Sequence, residues 1–292
     1  MIALRDEDRR ALTAGVMRIT KASAVLASAA LKDRWDVLVP RVATAPWRDE
    51  HLWDGNPALD GIRLGLHRAV LAACEQGRAV AELARSSTGY TVVLATLTRG
   101  SIEAMARVNW TLDSGSESEL LVRHASLEFG DLRYPVQHGL RIRQQGRGGE
   151  SWSLVADYRR GIETFLLRYG LAIKKAGLTE LATGLLSEIY NEAPRLYSGL
   201  SAAAHGQGWA TGNFFDLDQG RLVRDDQMVI EYCAYVIETI AVVTSKLTIA
   251  LAADRASVER WTSEREQVDL MLRTVLKRRD SGQPDGASGA GP

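Results

Sequence analysis

The stretch RLYSGLSAAAHG, residues 195–206, spaces Tyr197, Ser201 and His205 four residues apart, with a glycine directly after the histidine. Each step of four advances about 40° round a helix, so the three side chains share one face about 80° wide. A phenol, a hydroxyl and an imidazole on one face can bind a polar ligand. With the imidazole as general acid/base and the hydroxyls orienting a substrate, they can also move protons. The pattern has a structural reading as well. His205 falls in the last helical turn, where a cation meets the macrodipole and the free carbonyls. The Ser201 hydroxyl can bond back to the Tyr197 carbonyl.

A second set lies in TRGSIEAMARVNW, residues 98–110. Arg99, Glu103 and Arg107 stand at i, i+4 and i+8, and Trp110 falls about 20° from Arg99 on the helical wheel. On an exposed face this would be a solvated ion-pair ladder, worth tenths of a kcal/mol per pair. The surrounding apolar runs, YTVVLATL and IEAMA, instead predict an interior helix with a half-buried Arg-Glu pair. Such a pair needs further partners, because burying charge is costly. Tyr197, Ser201 and His205 can supply them.

The two sets together give a candidate ligand-binding site of Arg99, Glu103, Tyr197, Ser201 and His205. The leading expectation is a helical binding or interaction protein with a polar pocket formed by two helices, its ligand unknown. One alternative is a metal-independent nuclease or toxin-like enzyme. In that case His205 is the general acid/base, Tyr197 or Ser201 orients the substrate, and Arg99 holds a phosphate. A further alternative is a dimeric structural scaffold.

An Arg-x3-Glu helix ending in a tryptophan, followed by Tyr-x3-Ser-x3-His-Gly, resembles a group of uncharacterised, mainly bacterial (actinobacterial-type) all-helical proteins placed near the HEPN-like helical bundles. The matching residues are Arg99, Glu103, Trp110, Tyr197, Leu200, Ser201 and His205, within a region of roughly residues 60–250. The resemblance implies an all-helical bundle and no settled activity. HEPN ribonucleases carry an Arg-x4-6-His motif on one helix. Here Arg195 and His205 are too far apart to match it.

The elements that would position these residues are almost all helical, and strand signals are nearly missing. Helices are predicted over 6–40 (stopped by Pro40, with a possible break near Asp33), 58–85, 89–112 with Thr88 as cap, and 117–131. Pro135 interrupts the segment after 131, and QQGRGGE at 144–150 reads as a flexible turn. Further helices are predicted from a Ser151 cap to Ala176, between Gly177 and Tyr190, and from an Asn191 cap through His205, where Gly206 stops the helix. FFDLDQGRLV suggests a small hairpin, and two long helices, 226–253 and 255–279, complete the fold. Residues 41–57 form a loop whose Trp47 and Trp53 are expected to pack onto the bundle. The expectation is therefore an all-α multi-helix bundle of about eight to ten helices, one domain over 1–279, with a disordered tail at 280–292.

Composition narrows the classes further. The 292 residues hold 36 basic and 36 acidic side chains, so net charge gives nucleic acid no support, although it remains possible as a partner. Arg far outnumbers Lys, read as coding bias rather than a phosphate-binding signal. Cys74 and Cys233 sit in apolar helical patterns with no CxxC spacing, which predicts buried thiols in a reducing, cytoplasmic setting. No metal or cofactor is expected: Asp216 and Asp218 faintly resemble a calcium loop, but its closing position falls on Gln227. The charged N-terminus has no apolar h-region, so a secretory signal is not expected. The run from Met228 to Ala253 contains Glu231, Glu238 and Lys246 as a polar stripe, which predicts a core helix and no membrane span. Arg63 and His67 read as a surface i, i+4 contact, and the basic end RTVLKRR as a complement to its helix dipole. Helix 255–279 carries Trp261, Val268, Leu270, Met271, Leu272 and Val275. That is more apolar surface than a solvent-facing helix needs, and it suggests a homodimer contact.

Overall fold

A computed structural model of the chain describes residues 4–33, 45–86, 90–146, 149–218, 220–223 and 225–280. The fold is an all-α bundle, 77% helical, with eleven α-helices among the described residues, nine of them of seven residues or more. In chain order these are α1 (Asp6–Asp33), α2 (Ala58–Arg85), α3 (Thr91–Leu112), α4 (Glu117–Asp131), α5 (Arg133–Gln137), α6 (Val155–Arg168), α7 (Leu178–Ser187), α8 (Ala193–Ala204), α9 (Gly208–Thr211), α10 (Asp226–Ala250) and α11 (Arg255–Asp280). The predicted break near Asp33 and stop at Pro40, the Thr88 cap and the tail beyond Asp280 lie outside the described residues.

Helix α3 is the hub. It packs on α2, α10, α7 and α8, while α1 covers α2, α10 and α11. The reason is in its sequence: Leu94, Ala95, Ile102, Met105, Ala106 and Val108 leave apolar atoms on most sides, and all are buried in one contiguous core. Helices α1 and α10 are each long and apolar enough to cross a membrane by length and composition, and more than half of each apolar window is buried against other helices. The polar stripe of α10 is accounted for locally. Lys246 pairs with Glu188 at 2.7 Å and donates to Asn109 at 2.8 Å, and Glu231 accepts from Gln227 at 2.6 Å. Burial, with nearby Asp269, raises the Glu238 pKa.

Capping follows the sequence in part. Ser116 accepts from the Glu119 amide at the start of α4, and Asp225 accepts from Gln227 and Met228 at the start of α10. Tyr90 is the N-cap residue of α3, and Glu192, not Asn191, that of α8; neither makes a side-chain cap bond.

Residues 141–154 depart from expectation. Instead of a flexible turn and a helix capped by Ser151, Arg141–Gly146 (β1) and Gly149–Leu154 (β2) form an antiparallel hairpin that pairs Gln144 with Ser151. Helix α6 starts only at Val155 and ends at Arg168. Ser151, read as a helix cap, is instead a residue of β2. The second hairpin is where the sequence placed it, pairing Phe215–Asp216 (β3) with Arg221–Leu222 (β4).

Both loop tryptophans pack onto the bundle: Trp47 is fully buried and Trp53 stacks beside His124. Of the apolar residues of α11, Trp261, Val268, Leu272 and Val275 are buried in the intramolecular core, so α1 occupies most of the surface read as a dimer face and Leu270 is left exposed. Cys74 and Cys233 are both buried, and burial pushes the Cys74 thiol up to about 12.

Candidate functional site

Helix α8 carries Tyr197 and Ser201 and ends at His205. His205 is the C-cap residue, and Gly206 comes next in the left-handed region at φ 65°. The Gly206 amide donates to Ala203 O and the Gln207 amide to Ala202 O. This Schellman arrangement needs a residue tolerant of positive φ at position 206, which glycine supplies. It also fixes where the His205 ring leaves the helix.

That ring reaches α3. Arg99 Nη1 lies 2.6 Å from His205 Nε2, and Arg99 Nε donates to Glu103 Oε1 at 2.7 Å. The Tyr197 hydroxyl donates to the same Glu103 oxygen at 2.5 Å. The Arg99 guanidinium also sits 5.8 Å from the Tyr197 ring centroid. The two sets of residues read from the sequence therefore meet, across 94 to 106 positions of chain. Tyr197 is 2% exposed, while the side chains of Arg99 and Glu103 keep 22% and 18% of their surface. Ser201 lies on the same face half-buried; its carbonyl accepts from the His205 amide, and no back-bond to Tyr197 forms.

The electrostatics derive from this geometry. Burial works against the Arg99 charge but is outweighed by its bonds to Glu103 and Tyr197, so its pKa stands above the ordinary value. Burial, reinforced by the Glu103 carboxylate, raises the Tyr197 phenol and keeps it a donor. A guanidinium has only donors, so His205 Nε2 must accept, which assigns the ring proton to Nδ1. His205 is exposed, and Arg99 retains further N–H donors. The face therefore offers N–H groups to an acceptor, while the ring nitrogen that would act as a base is already engaged.

Two residues of the α3 motif belong elsewhere. Arg107 leaves the Glu103 ladder and forms a bidentate pair with Asp131 of α4 at 2.6 and 2.5 Å. Trp110 carries the Arg123 guanidinium over its ring at 5.4 Å. The Arg63–His67 contact is also replaced: Arg63 pairs with Asp60 at 3.2 Å, and the His67 ring meets the Ser28 hydroxyl at 2.9 Å.

A second polar centre was not singled out in the sequence. His124 and Glu128 sit at i, i+4 on α4, and that spacing in HASLE was its available signal. Trp53 Nε1 donates to Glu128 Oε2 at 2.7 Å and the Tyr158 hydroxyl to the same oxygen at 3.3 Å. His124 is 5% exposed, and its pKa is lowered, chiefly by burial. Among the described residues no three His, Cys, Asp or Glu side chains converge to hold a metal ion.

Comparison of the chain with protein-family models, curated proteins and solved structures found no match.

Proposed function

We propose that this chain is a helical binding protein whose contact face is the Arg99–Glu103–Tyr197–His205 network, with Ser201 beside it. The carrying observation is the 2.6 Å contact between Arg99 Nη1 and His205 Nε2. It ties up the nitrogen a nuclease would use as base and leaves N–H donors facing outward, which favours recognition over proton transfer. The complementary group is an acceptor such as a carboxylate or phosphate oxygen. The chain just past His205 adds apolar contact area: Trp209 is 65% exposed, and Phe215, Leu217 and Leu222 are exposed on the β3–β4 hairpin. A solvent-facing tryptophan next to a donor-rich centre suits a macromolecular partner.

The test is recovery of bound species from the wild-type protein and from an Arg99→Gln/His205→Ala double variant, purified in parallel and identified by mass spectrometry. The expected result is a species held by the wild type and lost from the folded variant. Equal recovery by both would remove the network from binding. RNA cleavage by the wild type that the variant loses would favour the nuclease reading instead.

A further inference from the structure

Helices α1 and α11 lie antiparallel. Arg278 pairs with Glu7 and Asp8 at one end, and further along Trp261 Nε1 donates to Ser23 Oγ at 3.0 Å. Beside that contact the two helices line a cavity of about 460 Å³. Its floor is apolar: Ala22, Val25, Leu26 and Ala29 from α1, and Trp261 from α11. The four α1 residues follow the i, i+3, i+4, i+7 spacing of one helix face. A face of that kind normally meets another element, yet Val25 is 65% exposed. Trp261 is buried with its one polar atom turned to Ser23, so the indole adds apolar surface to the floor.

Charge around this floor does not balance. Arg18, Lys21 and Arg260 stand against a single lining carboxylate, Glu264. Arg18 lies 3.7 Å from Glu264 and also bonds Gln267, so Arg18 and Glu264 offset each other. Lys21 is exposed and makes no ion pair among the described residues. Arg260 donates to the neutral Ser257 hydroxyl at 3.3 Å. The neighbouring acids of α11 are engaged elsewhere: Glu259 pairs with Arg255 at 2.6 Å, and Asp254 accepts from the Ser257 amide at 2.9 Å, with Arg260 a lesser influence on it. Lys21 and Arg260 thus flank the Ser23–Trp261 contact, one on each helix, and leave an excess of positive charge over an apolar floor. From Lys21 to Ala29 that floor runs about 12 Å, at about 1.5 Å per residue. The complementary molecule has an anionic head and a slim apolar body of about that length.

We propose that this groove binds a medium-chain aliphatic carboxylate, its carboxylate between Lys21 and Arg260 and its chain along Val25, Leu26 and Ala29 against Trp261. The site is separate from the Arg99–His205 face, which α3 and α8 form.

The test is calorimetric titration of the full chain with decanoate, butyrate and decyltrimethylammonium. Half-burial of the six further methylenes of decanoate, at about twofold each, should make it bind about sixtyfold tighter than butyrate. Decyltrimethylammonium keeps the chain but reverses the head charge, and should bind at least about tenfold more weakly than decanoate. Lys21→Gln/Arg260→Gln changes two exposed residues and should weaken decanoate about fivefold to tenfold. Val25→Asp, also at an exposed position, sets a carboxylate in the floor and should abolish binding while circular dichroism shows the fold intact. Absence of decanoate binding at millimolar concentration, equal affinity for decyltrimethylammonium, or unchanged affinity in either folded variant would overturn the proposal. A wild-type dimer in sedimentation that Val25→Asp dissociates would overturn it too, by giving the groove to a second copy of the chain.

Discussion

Replacing Arg99 by alanine removes three contacts at once: the 2.7 Å bond to Glu103, the 2.6 Å bond to His205 and the cation over the Tyr197 ring. A fully buried ion pair would cost about 3–5 kcal/mol to break, and an exposed one about 0–1 kcal/mol. The Arg99 and Glu103 side chains keep about a fifth of their surface, and Glu103 would still accept from Tyr197. The loss therefore falls between those limits, at about 2 kcal/mol. At an unfolding entropy of about 2.1 cal/mol/K per residue, that lowers Tm by about 3 °C for a chain of this length. His205→Ala removes one exposed bond and should cost about 0.5–1 kcal/mol. In the double variant the two losses should not add: with Arg99 absent, His205 has no bond left to lose, giving a coupling of about 0.5 kcal/mol or more. The assay is urea unfolding of the four proteins at neutral pH. Additive losses, or a His205→Ala loss larger than that of Arg99→Ala, would refute the network.

Packing and protonation give further expected outcomes. Gly77→Ala gains helix propensity, yet its Cβ would stand 2.8 Å from Thr20 Cγ2 and 2.9 Å from Val236 Cγ1, both fully buried. Overpacking of about 1–3 kcal/mol should win, and a more stable variant would contradict the close approach of α1, α2 and α10. His124 has a pKa below its unfolded value of about 6.5, through burial and, less, Arg68, against the opposing pull of Glu128 and Asp54. As pH falls below about 6.5 the unfolded chain gains a proton that the folded chain refuses, so this group's contribution is full above that pH and declines below it. His124→Gln should flatten the fall in stability between about pH 7 and 5 relative to wild type; an identical slope would place His124 in solvent.

The helical class was legible because long amphipathic runs such as residues 58–85 repeat apolar positions at the helical period. The meeting of Arg99 and Glu103 with Tyr197 and His205 was legible too, since a charge pair in an apolar helix demands partners and a polar stripe elsewhere can supply them. What spacing could not tell was which neighbour wins. Arg107 stands as near Glu103 in sequence as Arg99 does, but Asp131 on α4 offers a bidentate geometry that a helix neighbour does not. The β1–β2 hairpin stayed hidden because two short strands carry few apolar residues, and the glycines between them fit an irregular turn equally well. The polar centre at His124 stayed hidden for another reason. Its parts come from three helices and a loop, and Gly65 reads as an ordinary helical glycine until the His124 ring is found against it.

The most direct measurement is the nitrogen-15 spectrum of His205, assigned with the His205→Ala variant and recorded with and without inorganic phosphate. The expected result is a ring protonated on Nδ1 with Nε2 hydrogen-bonded to Arg99, and a shift of the Nδ1 resonance on adding phosphate that Arg99→Ala abolishes. A ring protonated on Nε2, or an Nδ1 resonance that phosphate leaves unmoved, would contradict it.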